Sequence, residues 1–120
     1  MRNRLWNVGN PYQGDFKRVL CVCSAGLLRS PTIAYVLSQE PYNLNTRSVG
    51  VHDYALIPLD VVHVAWAQEI VCAEKSHEDI VLAFLEKEGY TRPVVNLGIP
   101  DEYEYRNPTL VRLIKERYPA

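Results

Sequence analysis

The feature that most constrains this chain is a junction near its start. A short apolar run, Arg18-Val-Leu-Cys-Val-Cys23, passes directly into the small-residue stretch Ser24-Ala-Gly26 and then, at Ser30-Pro31, into a helix-like sequence. A near-continuous apolar run of this length is what a parallel strand buried on both faces requires. Ser30 is placed to cap a helix and Pro31 to occupy its first position. A strand feeding a helix through a tight turn opens a βαβ unit, so the expectation for the rest of the chain is further alternation.

The remaining sequence supplies it. The first helix is expected to run from Ser30 to about Gln39 and to stop at Pro41. A second strand is expected at Arg47-Ser-Val-Gly-Val51. A helix follows over 58–67, where Leu59, Val62, His63 and Trp66 share the spacing of one buried face. Ile70-Val-Cys-Ala73 reads as a third strand. Ser76 is placed to cap a third helix, with Asp79 three residues on, Ile80, Val81, Phe84 and Leu85 as its apolar face, and Gly89 as its end. Pro93-Val-Val-Asn-Leu97 reads as a fourth strand, and a last helix from about Asn107 to Arg117 buries Leu110, Val111 and Ile114. The order β-α-β-α-β-α-β-α predicts a three-layer α/β/α domain around a four-stranded parallel sheet. Ligands of such sheets bind at the carboxyl ends of the strands, which directs attention to the loop after Cys23.

Composition narrows the class. The 120 residues suffice for one core and not two, and 48% hydrophobic with 22% charged residues is the balance of a globular rather than a disordered chain. Residues 17–120 are read as that single domain, and residues 1–16, rich in Asn, Gly and Pro, as an ordered extension anchored by Trp6, Tyr12 and Phe16 on this domain or on a second copy. The net charge of −1 gives no global pull toward nucleic acid or an anionic membrane, and the basic residues Arg2, Arg4, Lys17 and Arg18 read as a solvated surface. No apolar run approaches a membrane span and no signal-like stretch leads the chain, so the expected compartment is the cytoplasm. Three cysteines are an odd count, which leaves at least one free thiol.

Residues 23–30 carry the chemistry. Holding a phosphate monoester takes a ring of backbone N–H groups, a helix N-terminus and a guanidinium. The segment offers the N–H groups of Ser24, Ala25, Gly26, Leu27, Leu28, Arg29 and Ser30, with Gly26 free to take a positive φ, and the planar donor fork of Arg29. The nucleophilic form of a cysteine is its thiolate, and helix N-termini and cationic neighbours favour it. Ser30 can add a hydroxyl bond to the sulfur of Cys23. Cys21 and Cys72, inside apolar strands, read as core residues. A metal site built from Cys21, Cys23, Cys72 and a histidine lacks the usual ligand spacing, and no metal or other cofactor is expected. His63 reads as a core histidine, His77 as a solvated one, and His52 stays undecided.

At this point the chain resembles the low-molecular-weight protein tyrosine phosphatase family. The segment Val19-Leu-Cys-Val-Cys23-Ser-Ala-Gly-Leu-Leu-Arg29-Ser30-Pro31-Thr32 matches that family's Cys-x5-Arg-Ser-Pro loop after a first strand. Leu97-Gly-Ile-Pro-Asp101-Glu-Tyr103 stands where the family carries its Asp-Pro-Tyr loop, and is closer still to a subgroup of small predicted phosphatases that read Ile-Pro-Asp-acidic-Tyr. The resemblance implies a protein tyrosine phosphatase working through a phosphocysteine on Cys23, with Arg29 binding phosphate, Asp101 as general acid, and Tyr103 and Tyr54 as substrate-pocket walls. It implies a phosphorylated protein or small phosphomonoester as substrate, with no nucleic acid or membrane partner and a monomer or weak homodimer.

The chain departs from that family at four points. Gly26 replaces the usual Asn, Leu28 replaces the second loop cysteine, Glu102 replaces the Pro after the acid and offers a competing carboxyl, and Ser48-Val-Gly-Val-His52-Asp-Tyr54 replaces the aromatic specificity segment. Two other readings stand beside hydrolysis: an arsenate reductase on the same fold, which needs cysteines to relay a disulfide, and a phosphate- or phosphoprotein-binding module without turnover.

Overall fold

A computed structural model describes residues 16–24, 29–51, 55, 57–100 and 105–119. The elements alternate as expected: β1 (Arg18–Cys23), α1 (Arg29–Ser38), β2 (Asn45–Gly50), α2 (Val61–Trp66), β3 (Glu69–Cys72), α3 (Lys75–Glu88), β4 (Val94–Asn96) and α4 (Pro108–Arg117). All pairings are parallel, and the strand order is β2-β1-β3-β4.

The core explains why β1 is apolar throughout. Val19, Leu20, Cys21 and Val22 are all fully buried, alternating between two clusters. Val19, Cys21 and Cys23 face residues of α1 and α4, among them Ile33, Leu37, Leu110 and Ile114. Leu20 and Val22 face Val64 of α2 and Val81 and Leu85 of α3. The sheet therefore has helices on both faces, and a strand at its centre has no polar side to offer.

Element ends follow local chemistry, and several differ from the sequence expectation. Helix α1 opens at Arg29, two residues before the expected first position at Pro31, so Pro31 sits in a first turn where its missing N–H costs nothing. The Ser30 hydroxyl is turned to the Cys23 sulfur and the Val49 carbonyl instead of serving as a cap. Helix α2 is shorter than 58–67 because Asp60 is its cap, its carboxylate accepting from the His63 N–H at 2.9 Å. The buried face also differs from the expected one: Val62, expected inside, is 64% exposed, Val64 is buried, and His63 is a half-buried residue bonded to Asp60 at 2.7 Å. Helix α3 is capped at Glu74, two residues before Ser76, and ends at Gly89 with φ +78°, a conformation that favours glycine. On its face Val81 and Leu85 are buried, whereas Ile80 is 44% exposed. Asn107 caps α4, accepting from the Thr109 N–H at 2.8 Å. Phe16 is 40% exposed in the single chain, and Trp6 and Tyr12 lie outside the described residues.

The chain order creates a switch point in the sheet. From β1 the chain moves to β2 on one side, then returns past β1 to β3 on the other. The carboxyl ends of β1 and β3 form the point where successive connections diverge, which is where doubly wound sheets bind ligands. Cys23 ends β1, and Ala73 and Glu74 follow β3.

Candidate functional site

At that point Cys23 is 3% exposed, with Sγ 3.1 Å from Ser30 Oγ. The Ser30 hydroxyl also reaches the Val49 carbonyl oxygen at 3.3 Å. The strand end, the first turn of α1 and β2 thus meet around one sulfur, as the spacing of Cys23 and Ser30 predicts.

Arg29 is 2% exposed and is the largest fully buried side chain among the described residues. A guanidinium survives such burial only when its donors are satisfied by acceptors, at least one of them charged. Its Nη1 donates to Glu74 Oε2 at 2.5 Å and to the Ile99 carbonyl oxygen at 2.8 Å, and its Nη2 donates to Ser24 Oγ at 3.4 Å. The arginine therefore ties together β1's exit, β3's exit and the segment leaving β4.

Glu74 and His77 were missed by sequence reasoning. Glu74 received no role, and His77, read as solvated, is 1% exposed. Its Nε2 lies 2.9 Å from Ser24 Oγ, and its Nδ1 accepts the Glu74 backbone N–H at 3.3 Å. The available signal was positional: a Glu and a His three residues apart, on the turn that leaves the strand beside β1.

The other expected site residues lie outside the described residues: Ala25, Gly26, Leu27 and Leu28 of the loop, Asp101 with its competitor Glu102, the pocket walls Tyr103 and Tyr54, and His52. Both stems of the 101–104 segment are described and are pinned beside the site. On one side the Ile99 N–H donates to the Ala73 carbonyl at 2.7 Å, while the Ile99 carbonyl accepts from Arg29. On the other, the Arg106 N–H donates to Thr32 Oγ1 at 2.9 Å, and the Arg106 guanidinium stacks 3.6 Å above the Tyr35 ring. Thr32 and Tyr35 belong to α1, the helix that Arg29 opens.

The cysteines do not converge on one another. Cys21 shares the α1/α4 side with Cys23, and Cys72 faces the other side. Same-face side chains on a strand stand about 6.6 Å apart, beyond the roughly 3.5–4.5 Å Cβ separation of a disulfide. Burial pushes the Cys21 thiol well up, with Cys72, Glu69 and Cys23 adding to the effect. Burial also pushes the Cys72 thiol up to about 12, with Glu78 adding. No group of His, Cys, Asp and Glu side chains suited to a metal ion occurs among the described residues, and no helix there is long and apolar enough to cross a membrane. Of the basic cluster, Lys17 pairs with Glu69 and Arg18 donates to the Trp66 carbonyl, so both serve the fold. Arg2 and Arg4 lie outside the described residues.

No protein-family model and no curated protein sequence matches the chain. Solved structures do. The tyrosine phosphatase Wzb from Escherichia coli K30, in complex with phosphate, superposes with a TM-score of 0.65 at 17% identity over 85% of this chain and 93% of that one. The YwlE arginine phosphatase from Geobacillus stearothermophilus gives 0.58 at 21% identity over 83% and 84%. The low molecular weight protein tyrosine phosphatase SP-PTP from Streptococcus pyogenes gives 0.61 at 15% identity over 83% and 87%. The chain has the α/β fold of the low-molecular-weight phosphatases.

Proposed function

We propose that this protein is a phosphomonoester hydrolase that forms a phosphocysteine on Cys23. The observation that carries the reading is the convergence, at the switch point of the sheet, of a strand-end cysteine held by Ser30 with a buried arginine six residues on. Neither a core cysteine nor a surface arginine needs that arrangement. The fold shared with tyrosine and arginine phosphatases supports it.

The residues divide the reaction as follows. The thiolate sulfur of Cys23 attacks phosphorus in line, the S–P bond forms, and the bond from phosphorus to the leaving oxygen breaks. Arg29 and the loop N–H groups hold the equatorial oxygens, where charge concentrates in the transition state. Asp101 gives its proton to the leaving oxygen. In the second step Asp101, now a carboxylate, takes a proton from water as the water oxygen attacks phosphorus. The S–P bond then breaks, and phosphate and thiolate are released. Ser30 serves both steps. In the thiol state S–H donates to Ser30 Oγ while the hydroxyl donates to the Val49 carbonyl; when sulfur is ionised the same hydroxyl swings to donate to it. The Glu74 carboxylate and the Ile99 carbonyl hold Nη1 of Arg29, which aims the rest of the fork.

The pinned stems support Asp101 as the acid, since the segment that carries it leaves from a carbonyl bonded to Arg29. Substrate choice rests on Tyr54 and Tyr103, and a phosphorylated protein side chain such as phosphotyrosine is the proposed class. The arsenate reductase reading loses ground, because Cys21 cannot reach Cys23 along the strand and Cys72 lies across the sheet. Hydrolysis of p-nitrophenyl phosphate between about pH 5 and 8 tests the proposal. Wild type turns over, and Cys23→Ser falls at least about 10⁴-fold, as loss of a nucleophile does. A wild type without turnover leaves the binding-module reading. Asp101→Asn slower than Glu102→Gln supports the acid assignment, and the reverse order rejects it.

A further inference from the structure

One titratable side chain is as deeply buried as the hydrophobic core, is bonded to the residue after the nucleophile, and takes no part in the steps above. His77 is 1% exposed and stands three residues after Glu74 in the first turn of α3. Its two ring nitrogens meet different groups, and Nε2 also faces Glu74 Oε2 at 4.0 Å. Nδ1 accepts the Glu74 backbone N–H at 3.3 Å, and Nε2 lies 2.9 Å from Ser24 Oγ.

Those contacts determine the direction of the second hydrogen bond. A nitrogen that accepts from an N–H carries no proton, so the neutral ring has its proton on Nε2. His77 therefore donates and Ser24 accepts. Ser24 Oγ accepts a second time from Arg29 Nη2 at 3.4 Å. A serine hydroxyl has two acceptor sites and one hydrogen. With both acceptor sites directed at His77 and Arg29, the hydroxyl hydrogen is turned away from both groups, while the oxygen stays beside the guanidinium that binds phosphate.

We propose that His77 is a positioning residue for the phosphate-binding loop: as the Nε2–H tautomer held by the Glu74 N–H, it fixes the Ser24 hydroxyl beside Arg29 as a further donor to a phosphoryl oxygen. This deepens the phosphatase reading and rests on it. The role differs from that of the loop N–H groups, because it is carried by a side chain that α3 reaches across from the neighbouring strand. It also gives β3 a second hold on the site, beside the Glu74–Arg29 pair.

Three variants separate the proposal from a purely structural role. In His77→Asn the amide oxygen takes the place of Nδ1 and keeps the Glu74 N–H bond, but the side chain is too short to reach Ser24. In His77→Gln an amide N–H returns near the place of Nε2. Ser24→Ala removes the hydroxyl. The expected result is that His77→Asn melts close to wild type while kcat/KM for p-nitrophenyl phosphate and the affinity for inorganic phosphate each fall about ten- to a hundredfold, the range of one hydrogen bond to a charged group. His77→Gln recovers most of that loss. Ser24→Ala matches His77→Asn, and the double variant is no worse than either single one, as for two residues acting through one bond. Unchanged kcat/KM and phosphate affinity in His77→Asn, equal behaviour of Asn and Gln, additive losses, or a loss that tracks a lowered melting temperature would each overturn the proposal. A wild type that binds phosphate without turnover sinks only the phosphatase reading, and calorimetric phosphate affinity then carries the same comparison. A wild type that binds no phosphate overturns the proposal. So does an imidazole ¹⁵N spectrum near neutral pH with a proton on Nδ1.

Discussion

At the carboxyl end of the sheet the Arg29 guanidinium is 2% exposed; at the amino end the Glu69 carboxylate is 8% exposed. Both are charges inside a small protein, and both are paired. The Tyr118 hydroxyl donates to Glu69 Oε1 at 2.6 Å, and Lys17 lies 3.3 Å from Oε2. Tyr42 meets the Tyr118 ring edge-on at 5.9 Å. Each oxygen of Glu69 therefore has its partner, and an aromatic pair closes the surroundings. Arg29 is also held by a carboxylate, a carbonyl and a hydroxyl, but those partners sit with a cysteine sulfur and a helix start at the switch point of the strands. Burial of a charge alone marks neither end as a site. A strand-end cysteine and a buried donor fork meeting where the connections diverge mark one end only as the candidate site.

The largest test of this difference is Arg29→Lys. An ammonium cannot present a planar fork to phosphate while also meeting Glu74, Ile99 and Ser24, so kcat/KM is expected to fall about 10²–10³-fold, the range for removing a main transition-state donor. Initial rates that stay within a few-fold of wild type would erase the distinction between the two ends. Tyr118→Phe is the mirror experiment. It removes a hydrogen bond to a buried carboxylate, and urea unfolding should show a loss of about 1.5–3 kcal/mol with kcat/KM unchanged. An activity loss in that variant without a stability loss would mean the amino end is not merely structural. Glu74→Gln should be milder than Arg29→Lys, about tenfold in kcat/KM, because the amide still accepts from Nη1 and the carboxylate is partly open to water.

The smallest effect runs along the sheet between the ends. Burial raises the Cys21 thiol, and it raises Cys72 to about 12. A group whose folded pKa lies above its unfolded value contributes stability that is complete below the unfolded value, near 8.5 for cysteine, and is lost as pH rises toward the folded one. Unfolding free energies from urea titrations should fall above about pH 8.5, by at most roughly 1.4 kcal/mol per pH unit for each thiol, and Cys72→Ala should flatten the slope. Below that range iodoacetamide should modify wild type once and Cys23→Ser not at all. Modification of Cys72 near neutral pH would show that the sheet interior opens.

Much of the architecture was legible because the code for it is local and repetitive. Val19 to Val22 read as a buried strand, Gly89 as the end of a helix and about Asn107 as the start of another, and the structure has each there. The errors were rotations and offsets with physical causes. Asp60 captured the start of α2, whose buried face holds Val64 and leaves Val62 outside, and Glu74 captured the start of α3 ahead of Ser76. Half of the candidate site was legible in the same way, since Cys23, Arg29 and Ser30 lie within one short segment of the chain.

The amino-acid sequence by itself determined the alternating fold, the passage from the first strand at Cys23 into the first helix, and the pairing of Cys23 with Ser30, since neighbours in sequence constrain one another through a few dihedral angles. Only the tertiary structure decided what surrounds Arg29. Glu74 stands 45 residues away, Ile99 70 residues away, and His77 reaches Ser24 across 53. Those contacts depend on β3 lying beside β1, and the pairing of parallel strands is set by how helices pack on both faces of the sheet, which no local pattern records.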